Sequence, residues 1–224
     1  MIPPLDSVVP ETVEIATFAM GWFWGPDSQF GSLSGVIRTC AGYSGGVKKN
    51  PAYHDLGDHT ETVQVEYDPT AISYINLLGV FWSNHSPTSQ PWSKQYMSAI
   101  FYHNEEQKRL ALKSKDRESE KRNTALFTEI IPYSKFYPAE DYHQKHALQR
   151  TPDIMSEYRE IYPEMKDVVA SSAAARVNGY LAGYGGCEKL RSEIESLGLS
   201  NKGRQGLLTI ICGRKNILSC VGCV

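Results

Sequence analysis

The sequence predicts an α+β fold in which helices pack on one sheet. Strand-like and helix-like runs alternate over residues 12–102, and the run over 61–67 alternates apolar and polar side chains. A helix-like run over 73–82 carries an apolar stripe. In order, the elements read β-α-β-β-α-β, which predicts a ferredoxin-like two-layer sandwich core with extra helices.

The first half of this core is predicted from residues 12–43. Residues 12–20 form a strand, and Pro26 and Asp27 then open a short helix. Pro is tolerated in a first helical turn, and Asp is favoured at the positive end of a helix. Residues 35–43 form a second strand, which ends in the Gly-containing loop 44–51.

The second half begins with a strand over 61–67, whose Val63, Val65 and Tyr67 lie on one face. Ser73 caps the helix that follows. The further predicted elements are a strand over 97–102, a charged helix over 104–122 and a strand over 126–131.

Beyond residue 138 the sequence predicts helices over 140–150 and 162–175, followed by a long C-terminal loop region. Residues 177–197 contain the Gly-rich patch 183–186. We expect one domain over residues 1–197 and a mobile, cysteine-containing tail over 198–224.

Composition narrows the class of protein. The 224 residues are 41% hydrophobic, as in a globular protein, and the net charge of −2 gives no reason to expect a nucleic-acid or membrane partner. The N-terminus lacks the basic and apolar regions of a signal peptide. Five cysteines, an odd number, indicate a reducing compartment, so we expect a cytoplasmic protein.

The loop and strand over residues 50–62 hold the first candidate site residues, Tyr53 and Glu61. A carboxylate near aromatic rings can have a raised pKa and act as an acid at neutral pH. The alternative is a solvated loop in which Glu61 is hydrogen-bonded locally. Tyr96 precedes a strand, and by itself it is interpreted as a core residue or a hydrogen-bonded phenol.

Two other patterns allow a chemical and a structural interpretation. His143 and His146 have a spacing that could ligate a metal, but no cysteine or third histidine is near them in the sequence, so a capped helix start is favoured and no metal is predicted. Cys220 and Cys223 form a CxxC pair, and Cys187 follows small, flexible residues as a travelling thiol would. The alternative is a mobile terminus with incidental cysteines.

Over residues 12–197 the chain resembles the type A peptide methionine sulfoxide reductases. The motifs that carry the resemblance are GWFWG (21–25), GVIRTCAGYSGG (35–46), NPAYHDLGDHTETVQVEYDP (50–69), FWSNH (81–85), QYMSAIFYH (95–103) and FYPAEDYHQ (136–144).

The resemblance implies reduction of methionine S-sulfoxide, free or in proteins, to methionine in the repair of oxidative damage. In the family a cysteine thiolate attacks the sulfoxide sulfur while an acid protonates the oxygen. The resulting sulfenic acid condenses with a resolving cysteine, and thioredoxin or another dithiol restores the thiols without a cofactor. The implied partners are oxidised methionine and thioredoxin, with the chain as a monomer.

Residue by residue, the match gives each position an expected role. Phe23 and Trp24 match the aromatic residues around the substrate methyl group, and Tyr53, Glu61 and Tyr96 match the groups around the sulfoxide oxygen, with Glu61 as proton donor. Among the thiols, Cys187 matches the region of the resolving cysteine, and Cys220 and Cys223 could form a relay.

The family nucleophile occupies the second position of GCFWG, which in this chain is Trp22. An indole cannot replace a thiolate. Trp22 could be genuine, in an inactive homologue that at most binds oxidised methionine. It could be an error of sequence, or it could stand for selenocysteine, whose codon UGA differs by one base from the tryptophan codon UGG. The last two accounts are favoured, because the remainder of the site matches.

Overall fold

A computed structural model describes residues 2–8 and 10–213, and the strands within them form one six-stranded sheet in the order β5-β4-β1-β3-β2-β6. The inner order β4-β1-β3-β2 is antiparallel throughout, whereas β5 pairs parallel to β4. The strands are β1 (Glu14–Met20), β2 (Val36–Ser44), β3 (Thr60–Tyr67), β4 (Ser98–Tyr102), β5 (Glu129–Pro132) and β6 (Phe136–Pro138). The predicted ferredoxin-like α+β core is confirmed.

Three helices accompany this sheet. They are α1 (Trp24–Gly31), α2 (Tyr74–Ser83) and α3 (Glu105–Arg122). One face of the sheet presents Phe18, Val63 and Ile100 to a core that Phe30 of α1 and Phe81 of α2 complete. The predicted cap of α2 is also present, because Ser73 and Asn76 exchange the reciprocal hydrogen bonds of a capping box.

The remaining helices form a second hydrophobic core, which we call the helical cluster (residues 146–213). It consists of α4 (His146–Gln149), α5 (Pro152–Ile161), α6 (Met165–Ala170), α7 (Ser172–Leu181), α8 (Gly186–Glu193) and α9 (Asn201–Gly213). Helix α7 packs closely on α1, because Gly31 has no side chain at a point where a Cβ would lie 2.6 Å from the Ala175 carbonyl oxygen.

The predicted C-terminal loop and mobile tail are wrong for residues 198–213. Leu207 and Ile211 of α9 are buried in the helical cluster, and Glu157 of α5 accepts hydrogen bonds from Ser200 immediately before α9. Apolar side chains at helical spacing therefore hold this segment in the fold. Residues 214–224, which include Cys220 and Cys223, lie outside the described residues.

Two predicted helices are interrupted. The helix over 140–150 is a 3₁₀ turn (Asp141–His143) followed by α4, because Lys145 between them has a left-handed φ of +47°. The helix over 162–175 is divided at Ser171, whose side chain caps α7 by accepting from the Ala174 N–H. Within the described residues, no helix is long and apolar enough to cross a membrane.

Candidate active site

The predicted site begins where β1 ends and α1 starts. Gly21 turns the chain there with a φ of +85°, a conformation that glycine adopts without steric cost. Trp22 follows, and Phe23 is the residue that precedes α1. Since the first N–H groups of a helix lack intrahelical acceptors, position 22 lies at the positive end of α1.

Glu61, the second residue of β3, is buried beside this helix end with only 2% of its surface exposed. Its carboxylate accepts one hydrogen bond from the Phe23 N–H at 3.1 Å and another from the Gln95 amide at 2.9 Å. Burial raises the pKa of Glu61, although the two hydrogen bonds oppose the shift. A carboxyl group with a raised pKa keeps its proton to a higher pH than a solvated one does, and it can act as a general acid toward an adjacent oxygen.

Gln95 joins Glu61 to Tyr96. The two residues belong to one 3₁₀ turn (Lys94–Tyr96), and the Gln95 amide nitrogen also donates to the Tyr96 hydroxyl at 3.0 Å. Burial and the neighbouring Tyr53 hydroxyl raise the pKa of Tyr96 to about 12, so its phenol remains protonated. No sequence motif predicted a role for Gln95, although its place directly before Tyr96 is a signal that could have indicated one.

Aromatic rings form the other wall of the site. The Trp24 ring stacks on His146, with centroids 3.8 Å apart, and its Nε1–H donates to His143 Nδ1 at 3.2 Å. The Phe23 and Tyr53 rings lie 5.0 and 4.6 Å from the His143 ring. Burial lowers the pKa of both histidines. Neutral His143 can therefore accept the Trp24 hydrogen bond.

The two histidines thus pack against Trp24. No group of three His, Cys, Asp or Glu side chains that could hold a metal is present in residues 2–8 and 10–213. The expected helix cap at this point is wrong, since no side chain caps α4, which Lys145 precedes in a left-handed conformation.

Glu140 anchors the loop that carries Tyr53. One carboxylate oxygen accepts from the Tyr53 N–H at 2.9 Å, and the other accepts from the Tyr43 hydroxyl at 2.7 Å. The loop over 50–59 is therefore attached to the chain that also supplies His143, rather than simply solvated as in the alternative interpretation.

Trp22 lies at the open side of the site. Its ring is 6.3 Å from the Trp24 ring and 6.2 Å from the Tyr96 ring, and its side chain is 64% exposed. The structure therefore brings Phe23, Trp24, Tyr53, Glu61 and Tyr96 together around position 22.

A buried polar network supports α1 from behind. Lys145 Nζ lies 2.8 Å from an Asp27 carboxylate oxygen and donates to the Thr39 carbonyl oxygen at 2.6 Å. Asn178 of α7 donates to the second Asp27 oxygen at 3.1 Å. Lys145 and Asp27 are completely buried, and their contact was not predictable from the sequence because the residues are 118 positions apart.

Two cysteines form a disulfide. Cys187, near the start of α8, is bonded to Cys212 in the last turn of α9. The sequence predicts Cys187 as the resolving candidate, with Cys220 and Cys223 as a possible relay, and its motifs do not indicate Cys212 as a partner. The remaining described cysteine, Cys40, lies in β2, and burial raises the pKa of its thiol to about 11, which makes it a poor nucleophile at neutral pH.

Comparison with known proteins agrees with this geometry. The family model "Peptide methionine sulfoxide reductase" matches residues 14–176. The chain is 45% identical to a peptide methionine sulfoxide reductase of Drosophila melanogaster over 196 residues, covering 87% of this chain and 78% of the relative. It is 43% identical to peptide methionine sulfoxide reductase A5 of Arabidopsis thaliana, covering 75% and 67%.

The chain belongs to the peptide methionine sulfoxide reductase family. Its fold is similar to that of reduced Mxr1 from Saccharomyces cerevisiae, with a TM-score of 0.59, 26% identity and coverage of 65% of this chain and 90% of that one. It is also similar to methionine sulfoxide reductase A of Corynebacterium diphtheriae, with a TM-score of 0.56, 26% identity and coverage of 68% and 83%.

A second family model matches the helical cluster of this peptide methionine sulfoxide reductase homologue. It is described as "Selenoprotein methionine sulfoxide reductase A, helical domain" and matches residues 164–211. The match includes Cys187 and ends one residue before Cys212. The α8 and α9 segments are therefore part of a recognised helical domain and not a tail.

Proposed function

We propose that this protein reduces methionine S-sulfoxide, free or in a polypeptide, to methionine when position 22 carries a cysteine or a selenocysteine. The observation that carries the proposal is the set Glu61, Gln95 and Tyr96, hydrogen-bonded to one another beside the positive end of α1. These groups form an acid and a hydrogen-bond donor beside position 22.

Trp22 is the residue at which this sequence lacks the nucleophile that the proposed reaction needs. Its indole is mostly exposed and contributes to neither hydrophobic core, so the fold does not require tryptophan there. A single base separates the codons of tryptophan and selenocysteine, and the helical domain matches a family model described as that of a selenoprotein. We infer that Trp22 stands for selenocysteine or cysteine.

The proposed chemistry begins at position 22. A thiolate or selenolate there is stabilised by the positive end of α1, and it attacks the sulfoxide sulfur. Glu61 gives its proton to the sulfoxide oxygen, and the oxygen is transferred to position 22 as methionine leaves, so the sulfoxide is reduced and position 22 becomes a sulfenic or selenenic acid. Tyr53 and Tyr96 donate hydrogen bonds to the oxygen, and Phe23 and Trp24 pack on the methyl group.

Resolution is proposed to pass through Cys187. Its thiolate attacks the oxidised residue 22, a bond forms between the two residues, and water leaves. Cys212 then attacks Cys187, which releases residue 22 and gives the Cys187–Cys212 disulfide. Two features support Cys187 in this role: it lies in the first turn of α8, and Arg191 Nε donates to its sulfur at 3.3 Å. A helix N-terminus and a neighbouring cation are the surroundings that favour a reactive thiol.

The external reductant in this proposal is thioredoxin or a comparable dithiol, which reduces the Cys187–Cys212 disulfide. The CxxC pair Cys220–Cys223, outside the described residues, extends the same relay toward the reductant. We further propose that the protein works as a cytoplasmic monomer.

The deciding experiment replaces Trp22 with cysteine. Trp22→Cys should reduce N-acetylmethionine S-sulfoxide with dithiothreitol as the electron source, as followed by chromatography of the product. Trp22→Ser, which offers an oxygen of similar size in place of sulfur, is the matched control and should give no turnover. Adding Glu61→Gln to Trp22→Cys should lower kcat/KM about 100-fold, because the proton donor is lost.

A folded Trp22→Cys protein without turnover would contradict the proposal. The chain would then be an inactive homologue, for which calorimetric binding of a methionine sulfoxide peptide is the remaining test. The mass of the tryptic peptide that contains residue 22, taken from natural protein, separately identifies the residue there as selenocysteine, cysteine or tryptophan.

A further inference from the structure

We propose that Trp92 forms a second subsite, which binds an apolar side chain of a polypeptide substrate near the oxidised methionine. The inference rests on the proposed function and deepens it, because it names the class of substrate that the site favours. Trp92 precedes the 3₁₀ turn that carries Gln95 and Tyr96.

Exposed aromatic side chains are concentrated at the mouth of the site. The described residues include four exposed phenylalanine, tryptophan or tyrosine side chains, and only Phe127 is outside the segments that form the site. The other three are Trp92, Tyr142, whose ring lies 4.1 Å from that of His143, and Trp22. Because the proposed function replaces Trp22 with cysteine or selenocysteine, Trp92 and Tyr142 are the two that remain at the mouth of the active protein. An exposed aromatic patch of this kind is typical of an interaction surface, since removing its apolar area from water lowers the free energy.

Trp92 is the most exposed of these rings, at 79%, yet it is held in place. Its centroid lies 4.7 Å from that of Tyr96 with the planes inclined by 38°, so Tyr96 supports one side of the indole. The ring thus presents a supported apolar face to solvent. Because the Tyr96 ring also lies 6.2 Å from the side chain at position 22, Trp92 and Tyr96 together form an aromatic surface that leads to the reacting position.

The distances fit an extended polypeptide. Successive residues of an extended chain advance about 3.3 Å, and alternate side chains point the same way, so residues two apart are about 7 Å apart on one face. The Tyr96 ring lies between Trp92 and position 22, with its centroid 4.7 Å from that of Trp92 and 6.2 Å from that of the residue 22 ring. We therefore assign to Trp92 an aromatic or aliphatic side chain two positions from the oxidised methionine. Free methionine sulfoxide has no atom that can reach it.

The test compares a peptide with a small substrate in the full chain carrying Trp22→Cys. The substrates are a peptide with phenylalanine two residues after the methionine sulfoxide, the same peptide with serine there, and N-acetylmethionine sulfoxide. Trp92→Ala should lower kcat/KM for the phenylalanine peptide about three- to tenfold, mainly through KM, because a stacked aromatic pair is lost. The other two substrates should change by less than twofold.

Two further variants separate specific contact from general damage. Trp92→Phe keeps an aromatic face and should retain most of the preference for the phenylalanine peptide. Phe127→Ala removes an exposed aromatic ring elsewhere and should alter no substrate selectively. Equal losses for all three substrates, or no loss for any, would overturn the subsite while the proposed function stands. An absence of turnover with every substrate before Trp92 is changed would overturn both.

Discussion

The site and the helical cluster of this peptide methionine sulfoxide reductase homologue are stabilised in different ways. Around position 22, side chains are held by specific hydrogen bonds, such as those that join Glu61, Gln95 and Tyr96. The helical cluster instead buries aliphatic and aromatic side chains from α4 to α9 and adds the Cys187–Cys212 disulfide. The hydrogen bonds around position 22 therefore orient the groups to which the chemistry is assigned, and the cluster serves as a support that also carries Cys187 and Cys212.

The two regions meet at a polar contact. Asp27 belongs to α1 of the sandwich, Lys145 precedes the cluster, and Asn178 belongs to α7 within it. A buried ion pair costs desolvation and adds little net stability, but leaving one partner alone is expensive. This contact therefore fixes how α1, and with it position 22, is oriented on the cluster.

The largest expected effect comes from breaking that contact. Lys145→Met leaves the Asp27 carboxylate buried without its cation, so the free energy of unfolding should fall by about 3–5 kcal/mol. Chemical denaturation measures the change. The matched control is Lys108→Met, which removes an exposed partner of Glu105 and should change stability by less than about 0.5 kcal/mol. Similar effects of the two variants would refute a structural role for the buried pair.

An intermediate effect is expected from the cluster itself. Cys212→Ser opens the disulfide across a separation of 25 residues, which should lower the free energy of unfolding by about 3 kcal/mol, chiefly because the unfolded chain gains freedom. Urea denaturation with and without dithiothreitol is the measurement. The reductant should destabilise the parent chain and leave Cys212→Ser unchanged, and an unaffected parent would argue against the disulfide.

The smallest effect is expected in the pH dependence of the free energy of unfolding, to which Glu61 contributes. Burial raises its pKa in the folded protein, so the folded state holds this proton more tightly than the unfolded state does. The contribution of Glu61 to the free energy of unfolding is complete below the pKa that Glu61 has in the unfolded chain. It is lost as the pH rises through the pKa of Glu61 in the folded protein. Denaturation from pH 4 to 8 should show a smaller decline in Glu61→Gln than in the parent, and identical slopes would contradict a raised pKa.

Much of the core could be predicted from local patterns. The alternation of Val63, Val65 and Tyr67 identified β3, and Ser73 identified the start of α2, because both signals involve residues close in the chain. The break at Lys145 was not predictable, since its left-handed backbone is held by the contact of its side chain with Asp27 and Thr39.

The C-terminal region was predicted less well. A Gly-rich patch, followed by scattered cysteines, resembles a mobile tail when only composition is considered. The burial of Leu207 and Ile211 depends on α5, α7 and α8, which are distant in sequence, so the order of α9 becomes visible only when the helices are packed together.

The sequence by itself determined the order of strands and helices along the sandwich and, through its motifs, the family and five of the side chains around position 22. This was possible because strand alternation, helix caps and family motifs each depend on residues that are close together in the chain. Only the tertiary structure decided that Gln95 joins Glu61 to Tyr96, that Lys145 neutralises Asp27, and that Cys187 pairs with Cys212. Each of these depends on distances between side chains that the folded chain brings together, and no local pattern encodes such distances.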